Sequence, residues 1–379
     1  MSQEYSIRRL TSLSNVSAED WNHLTDNSNP FVRHEYLYGL EKYDCLTSQG
    51  WTPCHLTVYS GNNLTGAIPL YLRNNSYGEF VFDWAWADAY ERAGGKYYPK
   101  LVTAIPFAPV IGPRLLVHSE APAYIKIKQL LIENVLKLVE DNGLSSYHCL
   151  FTDNADQTIF NENNLLARST CQFHWHNNNY CDFNDFLDSL TSKKRKQIKR
   201  ERRKVENDGI EIEILLGNEI TNKQWQAYYH FYCTTFYTRW GNPRLTLEFF
   251  MSLSETMPEN TLLILAKYQK TYIAGAFLMR GDDILYGRHW GCSSQFPFLH
   301  FELCYYQAIN YCIKNNIQKL DAGVQGEHKL SRGFQPYSSS SYHWIQHVGF
   351  RNAIADYLVT EKKEVAQHIE NLNLHLPFK

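Results

Sequence analysis

One set of landmarks occurs twice in this chain, and it limits the fold more than any other feature. Gly66-Ala-Ile-Pro-Leu-Tyr-Leu-Arg73 is followed by Tyr77-Gly78, Trp84 and Tyr97-Tyr98, and Gly275-Ala-Phe-Leu-Met-Arg280 by Tyr286-Gly287, Trp290 and Tyr305-Tyr306. The offset is 209 residues from Gly66 to Gly275, 206 from Trp84 to Trp290 and 208 from Tyr97 to Tyr305. A chain of 379 residues has room for two domains, so the repeat implies two related halves.

Each half reads as strand, turn, strand, turn, strand, helix. In the second, Thr261 to Tyr268 is an apolar run, Lys270-Thr271 turns it, Tyr272 to Arg280 returns, Gly281-Asp-Asp283 makes a hairpin turn and Ile284 to Trp290 is a third strand. Phe298, Phe301, Tyr305, Ala308 and Cys312 then recur at helical spacing, and a strand follows at Gln318 to Ala322. The first half runs similarly from Cys54 to Trp84, with helices near Ala85 to Leu101 and at Ala123 to Asn142 and strands at Ser145 to Phe151 and Gln172 to His176. Mixed, largely antiparallel sheets packed with helices are expected in both halves, an α+β chain with its boundary near Cys181 to Ser192.

Composition removes whole classes. With 44% apolar and 15% aromatic residues the chain can bury enough surface to order itself. Nine cysteines without a C-x-x-C pair signal neither a disulfide framework nor a zinc ribbon, and a reducing, cytoplasmic setting fits. The N-terminus lacks an apolar leader core, and the uncharged run from Leu101 to Pro113 is too short to span a bilayer. P-loop, dinucleotide, zincin and nucleophile-elbow motifs are absent. Cys171, His174, His176 and Cys181 have the residue types of a zinc site, but Gln172-Phe-His-Trp-His176 alternates as a strand with Phe173 and Trp175 inward, so no metal is expected.

The net charge is −2, yet Lys193-Lys-Arg-Lys-Gln-Ile-Lys-Arg-Glu-Arg-Arg-Lys204 holds nine cations among twelve residues. Such a helix suits a phosphate-rich ligand, the tail of coenzyme A or a tRNA backbone; a solvated face anchored by Ile198 is the other reading. No groove-reading signature accompanies it, so DNA is not an expected partner.

Several long strings carry a resemblance. Asn29-Pro-Phe31 with Glu35 and Leu37, Tyr77 through Tyr90, Tyr97-Tyr-Pro-Lys100, Ile105-Pro-Phe-Ala-Pro-Val110, Leu285-Tyr-Gly-Arg288, Leu299-His-Phe-Glu302 and Ala322-Gly-Val-Gln-Gly-Glu-His-Lys-Leu-Ser-Arg-Gly-Phe334 resemble the GNAT and Fem-type acyltransferases. Within these, the chain is similar to the Fem-like family named for peptidoglycan biosynthesis and recognition. The resemblance implies two tandem GNAT-like halves, 1–185 and 186–379, and an N-acyltransferase that moves an acyl group from acyl-CoA, a co-substrate and not a tightly held cofactor, to an amine of a small or peptide-like acceptor. Aminoacyl-tRNA as donor, and a non-catalytic protein that recognises peptidoglycan fragments, remain as alternatives.

Acyl transfer to an amine needs a proton acceptor and a polarised carbonyl. The candidates for proton transfer are Glu327 and His328, after a Gly-rich turn, and Glu302 near a helix start. Those for the donor are Arg288 and Gly291 before Ser293, then Gly323, Gly326, Lys329, Arg332 and Gly333, where missing Cβ atoms allow close backbone approach and cations follow. Asp83, Trp84, Trp86, Asp88 and Tyr90, with Tyr286, are the acceptor candidates, two acids among aromatics suiting a cationic amine. For Glu327 an ion pair with Lys329 or Arg332, and for the Asp83 cluster core packing with helix capping, are the structural alternatives.

Overall fold

Aliphatic residues spaced for a single face build the interior of each unit. The computed structural model describes residues 4–25, 28–239, 241–294, 296–324 and 326–379. The chain forms two compact units, one of Met1–Cys171 with Ser338–His368, the other of Gln172–Tyr337 with Ile369–Lys379. Both mix helices with sheets, as an α+β chain should.

In the first unit, β1 (Tyr5–Leu10), β3 (His55–Ser60) and β4 (Asn63–Ile68) form an antiparallel sheet, order β1-β3-β4. A second sheet runs β2 (Trp51–Pro53), β5 (Tyr71–Arg73), β6 (Lys100–Thr103) and β7 (Ser146–Thr152), with the later residues of β14 (Gln335–Ile345) beyond β7. The helices α1 (Ala18–Asn22), α2 (His34–Lys42), α3 (Trp84–Arg92), α4 (Tyr124–Asp141) and α5 (Gln157–Glu162) accompany them. Ile127, Leu131, Val135 and Val139 of α4 are buried with Val58, Ile68, Tyr147 and Trp344, and each such side chain contributes about 1.5–3 kcal/mol.

The strand β8 (Leu166–His176) leads into the second unit. There the order is β8-β13-β12-β11-β10-β9, from β9 (Ile210–Leu216), β10 (Thr261–Tyr268), β11 (Thr271–Arg280), β12 (Ile284–Cys292) and β13 (Lys319–Asp321); β14 (Gln335–Ile345) leads out. The helices are α6 (Phe183–Ser189), α7 (Ser192–Asn207), α8 (Asn222–Arg239) and α9 (Leu247–Thr256), then α10 (Leu299–Phe301), a π-helical turn Glu302–Gln307 and α11 (Ala308–Lys314); α12 (Val348–Asn373) follows β14 and belongs to the first unit as far as His368. Phe173 and Trp175 do point into the core while His174 and His176, alternating with them, take the other face.

The two units share one device. Each has a parallel pair joined through helix, and each pair is three residues long: Leu101–Thr103 with Tyr147–Cys149, and Ile284–Tyr286 with Lys319–Asp321. Gly66 and Gly275 both lie on the second strand of a hairpin, where a Cβ would come within 2.4 Å of Ile127 on α4 or 2.9 Å of Tyr228 on α8. The later landmarks part company. Trp84 opens α3, whereas Trp290 lies within β12; Tyr97 precedes β6, whereas Tyr305 sits in the π-helical turn. The helix expected near Ala85 to Leu101 ends at Arg92, because Gly94, at φ +86°, and Gly95 stop it and Lys100–Thr103 enters the sheet. The segment between β5 and β6 has no counterpart between β11 and β12, where a tight hairpin suffices.

Gly291 packs a helix. A Cβ there would lie 2.1 Å from the Phe231 carbonyl oxygen and 2.3 Å from its carbon, and Thr235 of the same helix donates to the Trp290 carbonyl at 3.0 Å. Gly291→Ala should therefore cost at least about 1–3 kcal/mol in urea unfolding, since backbone and not a flexible side chain must yield.

Candidate functional site

In the second unit β12 extends to Cys292, but its pairing with β13 stops at Tyr286 and Asp321. The side chains at that point share one sheet face. Asp321 is buried; it accepts from Arg288 Nη2 at 3.0 Å and from the Gly323 N–H at 2.7 Å. Burial alone would raise its pKa, but the Arg288 guanidinium and the Gly323 N–H outweigh that and hold the carboxyl below the usual range. Arg288 also donates to the Gly287 carbonyl at 2.8 Å and lies 5.1 Å from the Tyr286 ring centroid.

His174 on β8 stands opposite Asp321 in the register. Its Nε2 lies 3.3 Å from Gln172 Oε1, its ring stacks on Tyr337 at 4.6 Å, and its buried Nδ1 has no hydrogen-bond partner. Burial pushes the imidazole down to about 4, against the Asp321 charge, so it is neutral at pH 7. A neutral imidazole with a bare nitrogen beside an ionised carboxylate can accept a proton. The strand pattern of His174 was visible in sequence, and Asp321 was visible as the last polar residue before Gly323; what neither pattern carried was their pairing across β8 and β13.

The loop from Gly323 to Phe334 serves mostly its own architecture; Gln325 lies outside the described residues. Lys329 is buried and donates to the Ala322 and Gly323 carbonyls. Arg332, 4% exposed, holds Glu201 Oε2 at 3.0 Å, Tyr306 Oη at 3.0 Å and the His328 carbonyl at 2.9 Å, and stacks over Phe301. These heads are committed to protein partners, so the expectation that Lys329 and Arg332 meet donor phosphates does not match the geometry. Gly323, Gly326 and Gly333 have φ values of +75°, +98° and +88°; Gly326 gives room to the His328 ring and Gly333 to Phe186. Gly291 likewise belongs to the helix contact described above.

Of the three proton-transfer candidates, Glu327 is exposed. His328, also exposed, bonds Tyr305 Oη at 2.9 Å, and partial burial with Arg332 and Lys329 nearby lowers its pKa. Glu302 is buried in a fork from Arg202, with Nη2 at 3.1 Å, and accepts from Gln307 at 2.7 Å. It lines a groove of about 580 Å³ with Lys199, Arg202 and Arg203 of α7 and an apolar floor that includes Phe183 and Ile212. The basic helix thus has two faces: Glu201 and Ile198 are buried, while Lys193, Lys196, Lys199, Arg200 and Arg203 are exposed.

In the first unit the five expected acceptor residues fall on opposite sides of α3. Asp83 is buried and accepts from Lys100 Nζ at 2.6 Å, Tyr97 Oη at 2.6 Å and Ser76 Oγ at 2.5 Å. Burial opposes its ionisation, but Lys100 above all holds its carboxyl far below the usual range. Lys100 also binds Glu79 at 2.8 Å, and Glu79 binds Arg73 at 3.1 Å. Trp86 and Tyr90 turn inward onto His343 and Phe350, while Trp84 and Asp88, four residues apart, turn outward. Asp83 occupies the cap position of α3 without capping it; its oxygens are taken by the core.

Comparison with known proteins places this arrangement. The FemAB-like family model, described as peptidoglycan biosynthesis/recognition, matches residues 12–379. The chain belongs to the FemAB-like family. Among solved structures, this FemAB-like chain is similar to FemX, with 10% identity and a TM-score of 0.54, covering 92% of this chain and 100% of that one. L-PGS from Bacillus licheniformis is similar at 10% identity and a TM-score of 0.49, covering 85% and 94%. A tandem GNAT protein from the clavulanic acid pathway follows at 9% identity and 0.48, covering 90% and 98%. No curated protein sequence matches. Among the described residues of this FemAB-like protein no helix is long and apolar enough to cross a membrane.

Two stability tests follow from the buried charges. Arg332→Ala would strand Glu201 and should cost about 3–5 kcal/mol in denaturant unfolding, with Glu201→Gln restoring part of it in the double variant. Burial pushes His148 and His289 down to about 3, so between pH 6.5 and 3 the unfolded chain binds protons that the folded chain refuses. Stability should fall as pH drops through that window, by up to about 1.4 kcal/mol per unit per histidine, and His289→Gln should shallow the slope.

Proposed function

We propose that this FemAB-like protein is an N-acyltransferase that moves an acyl group from acyl-CoA to the amine of a peptide-like, peptidoglycan-related acceptor. The observation that carries the reading is the divergence of β12 from β13 beyond Tyr286 and Asp321, with Arg288, Asp321 and His174 gathered on the sheet face where it begins. In the transfer the amine nitrogen attacks the thioester carbonyl, the C–N bond forms, the C–S bond breaks and the nitrogen's proton ends on the departing thiolate. His174 Nδ1 is the group placed to take that proton first, directly or through water, and Asp321 stabilises the imidazolium so formed. The Arg288 guanidinium keeps Asp321 ionised throughout.

The groove beside α7 supports an anionic donor. Lys199 and Arg203 offer charges on its rim, while Arg202 is held by Glu302. Coenzyme A brings phosphates on an apolar pantetheine arm, which suits a basic rim over an apolar floor.

Thiol release over an acyl-CoA panel, with muropeptides as acceptors, tests the donor and acceptor together. Turnover is expected, and His174→Ala should lower kcat at least 100-fold with the donor KM kept, His174→Gln giving no rescue. Lys199→Gln with Arg203→Gln should raise the donor KM about 10-fold or more and flatten its salt dependence. Transfer from aminoacyl-tRNA with no thiol release from any acyl-CoA would overturn the donor assignment; muropeptide binding without turnover from either donor would overturn the enzyme.

A further inference from the structure

Three aromatic side chains stand outward on the segment before and at the start of α3, in contact with each other and with water. Tyr77 is 63% exposed, Phe82 43% and Trp84 47%. Phe82 and Trp84 stack at 4.3 Å with planes 20° apart, and Tyr77 leans on Trp84 at 5.9 Å and 55°. Single exposed aromatics are ordinary; three joined into one surface mark a place where something binds.

Their backbone is held while their rings are free. Arg73 Nη2 donates to the Tyr77 carbonyl at 2.7 Å, the Tyr77 N–H donates to Asn75 at 3.0 Å, and Arg168 Nη1 donates to the Phe82 carbonyl at 2.9 Å. Arg168 is fixed in turn by Glu361 at 2.8 Å. Beneath the segment, Glu79 and Asp83 are tied to Arg73 and Lys100, and the chain between them passes through Phe80 at φ +64°, a conformation that a bulky residue adopts only where its surroundings impose it. Three buried ion pairs and a strained residue are a heavy outlay for an idle loop, and what they fix is the position of the three rings.

The chemistry of the face selects its ligand. One helical turn from Trp84, on the same side of α3, Asp88 is matched by Arg92 at 2.6 Å, and Asp83 is buried against Lys100, so neither of these carboxylates stands alone as the partner an ammonium would need. On α3 the acids Asp88 and Glu91 outnumber Arg92, which disfavours the phosphates of a nucleotide. At about half exposure the three rings offer roughly 300 Å², far below the ~800 Å² per partner of a stable protein interface. A small neutral ligand remains, with one flat face of C–H groups to lie on an aromatic ring and hydroxyls at its rim for Asp88 and Arg92.

We propose that Tyr77, Phe82 and Trp84 form a binding platform for a neutral pyranose ring, the saccharide part of a glycan, with Asp88 and Arg92 bonding its hydroxyls. This inference is independent of the transfer chemistry, because its site uses none of the residues assigned to the reaction and its assay contains no donor.

The test is a titration of the full-length protein with tri-N-acetylchitotriose, read by tryptophan fluorescence and by saturation-transfer NMR. Saturable binding is expected, at a millimolar or tighter Kd, with Trp84→Ala weakening it at least 10-fold, Phe82→Ala and Tyr77→Ala at least 3-fold, and Trp84→Phe keeping part of it. All three positions are exposed, so thermal melting within about 2 °C of wild type should confirm an intact fold in each of the four variants. No binding by wild type at 20 mM trisaccharide, or a Kd unchanged in both Trp84→Ala and Phe82→Ala, would overturn the proposal. So would Trp84-dependent binding of choline or of adenosine monophosphate that exceeds that of the trisaccharide, since those ligands report a cation or nucleotide site instead.

Discussion

A parallel strand pair can be held open only if something other than the ladder satisfies the strands where they part. In the second unit that condition falls on Tyr286 and Asp321, the last partners of β12 and β13. Beyond them the Gly323 N–H turns to the Asp321 carboxylate, the Ala322 N–H donates to the Phe173 carbonyl on β8 and the Phe173 N–H to the Gly323 carbonyl, and Lys329 closes on the Ala322 and Gly323 carbonyls. The backbone groups of Ala322 and Gly323 are thus accounted for within the protein. Arg288 completes the arrangement from β12, so the place where the sheet opens is also where an ionised carboxylate, a guanidinium and a neutral imidazole collect. These three side chains gather there because the register sets His174 opposite Asp321 and Arg288 reaches Asp321 from the neighbouring strand.

Charge pairing recurs at the buried carboxylates. Asp321 has Arg288, Glu201 has Arg332, Glu302 has Arg202, Asp156 has Lys128, and Asp83 and Glu79 have Lys100 and Arg73. A buried pair of this kind adds little net stability, but losing one member is severe, since the other is left charged in a poor solvent. Their value is positional: Glu201 with Arg332 ties the basic helix to the loop before β14, and Lys100 ties β6 to the segment that carries the exposed rings.

Much of this could be read from sequence wherever a local period or a turn dipeptide decides the matter. The hairpin of β10 and β11, the helix α4, the basic helix and the inward Phe173 and Trp175 all rest on local pattern alone. Gly-rich strings were harder, because a glycine needed for a close helix contact, as at Gly291, is spelled the same as one that leaves room for a ligand. Basic residues misled for a related reason. Arg332 and Lys329 look like phosphate ligands until Glu201, 131 residues away from Arg332, and the carbonyls after Asp321 are seen to hold them. The α3 segment shows the limit most clearly: its acids and aromatics are adjacent in sequence, yet a 100° step per residue sends Asp83 and Trp86 to the core and Trp84 and Asp88 to water.

The polar core under that segment also has a defined proton order. His148 and His343 face each other Nδ1 to Nδ1 at 2.6 Å, so a single proton lies between them. Burial keeps both rings neutral, pushing His148 down to about 3 and His343 well below its ordinary value. If His148 were the donor, His343 would carry its proton on Nδ1's opposite, Nε2, a buried N–H with no acceptor. With His343 donating from Nδ1 instead, its Nε2 is a bare lone pair beside the Trp86 ring, which costs less than an orphaned N–H, and His148 is left with its Nε2–H. That N–H points toward Ser146 Oγ at 2.9 Å and the Asp83 carboxylate at 3.6 Å, where negative charge is already fixed by Lys100 and Tyr97. One tautomer therefore satisfies every group but a single acceptor, and it is selected by the carboxylate that Lys100 holds ionised.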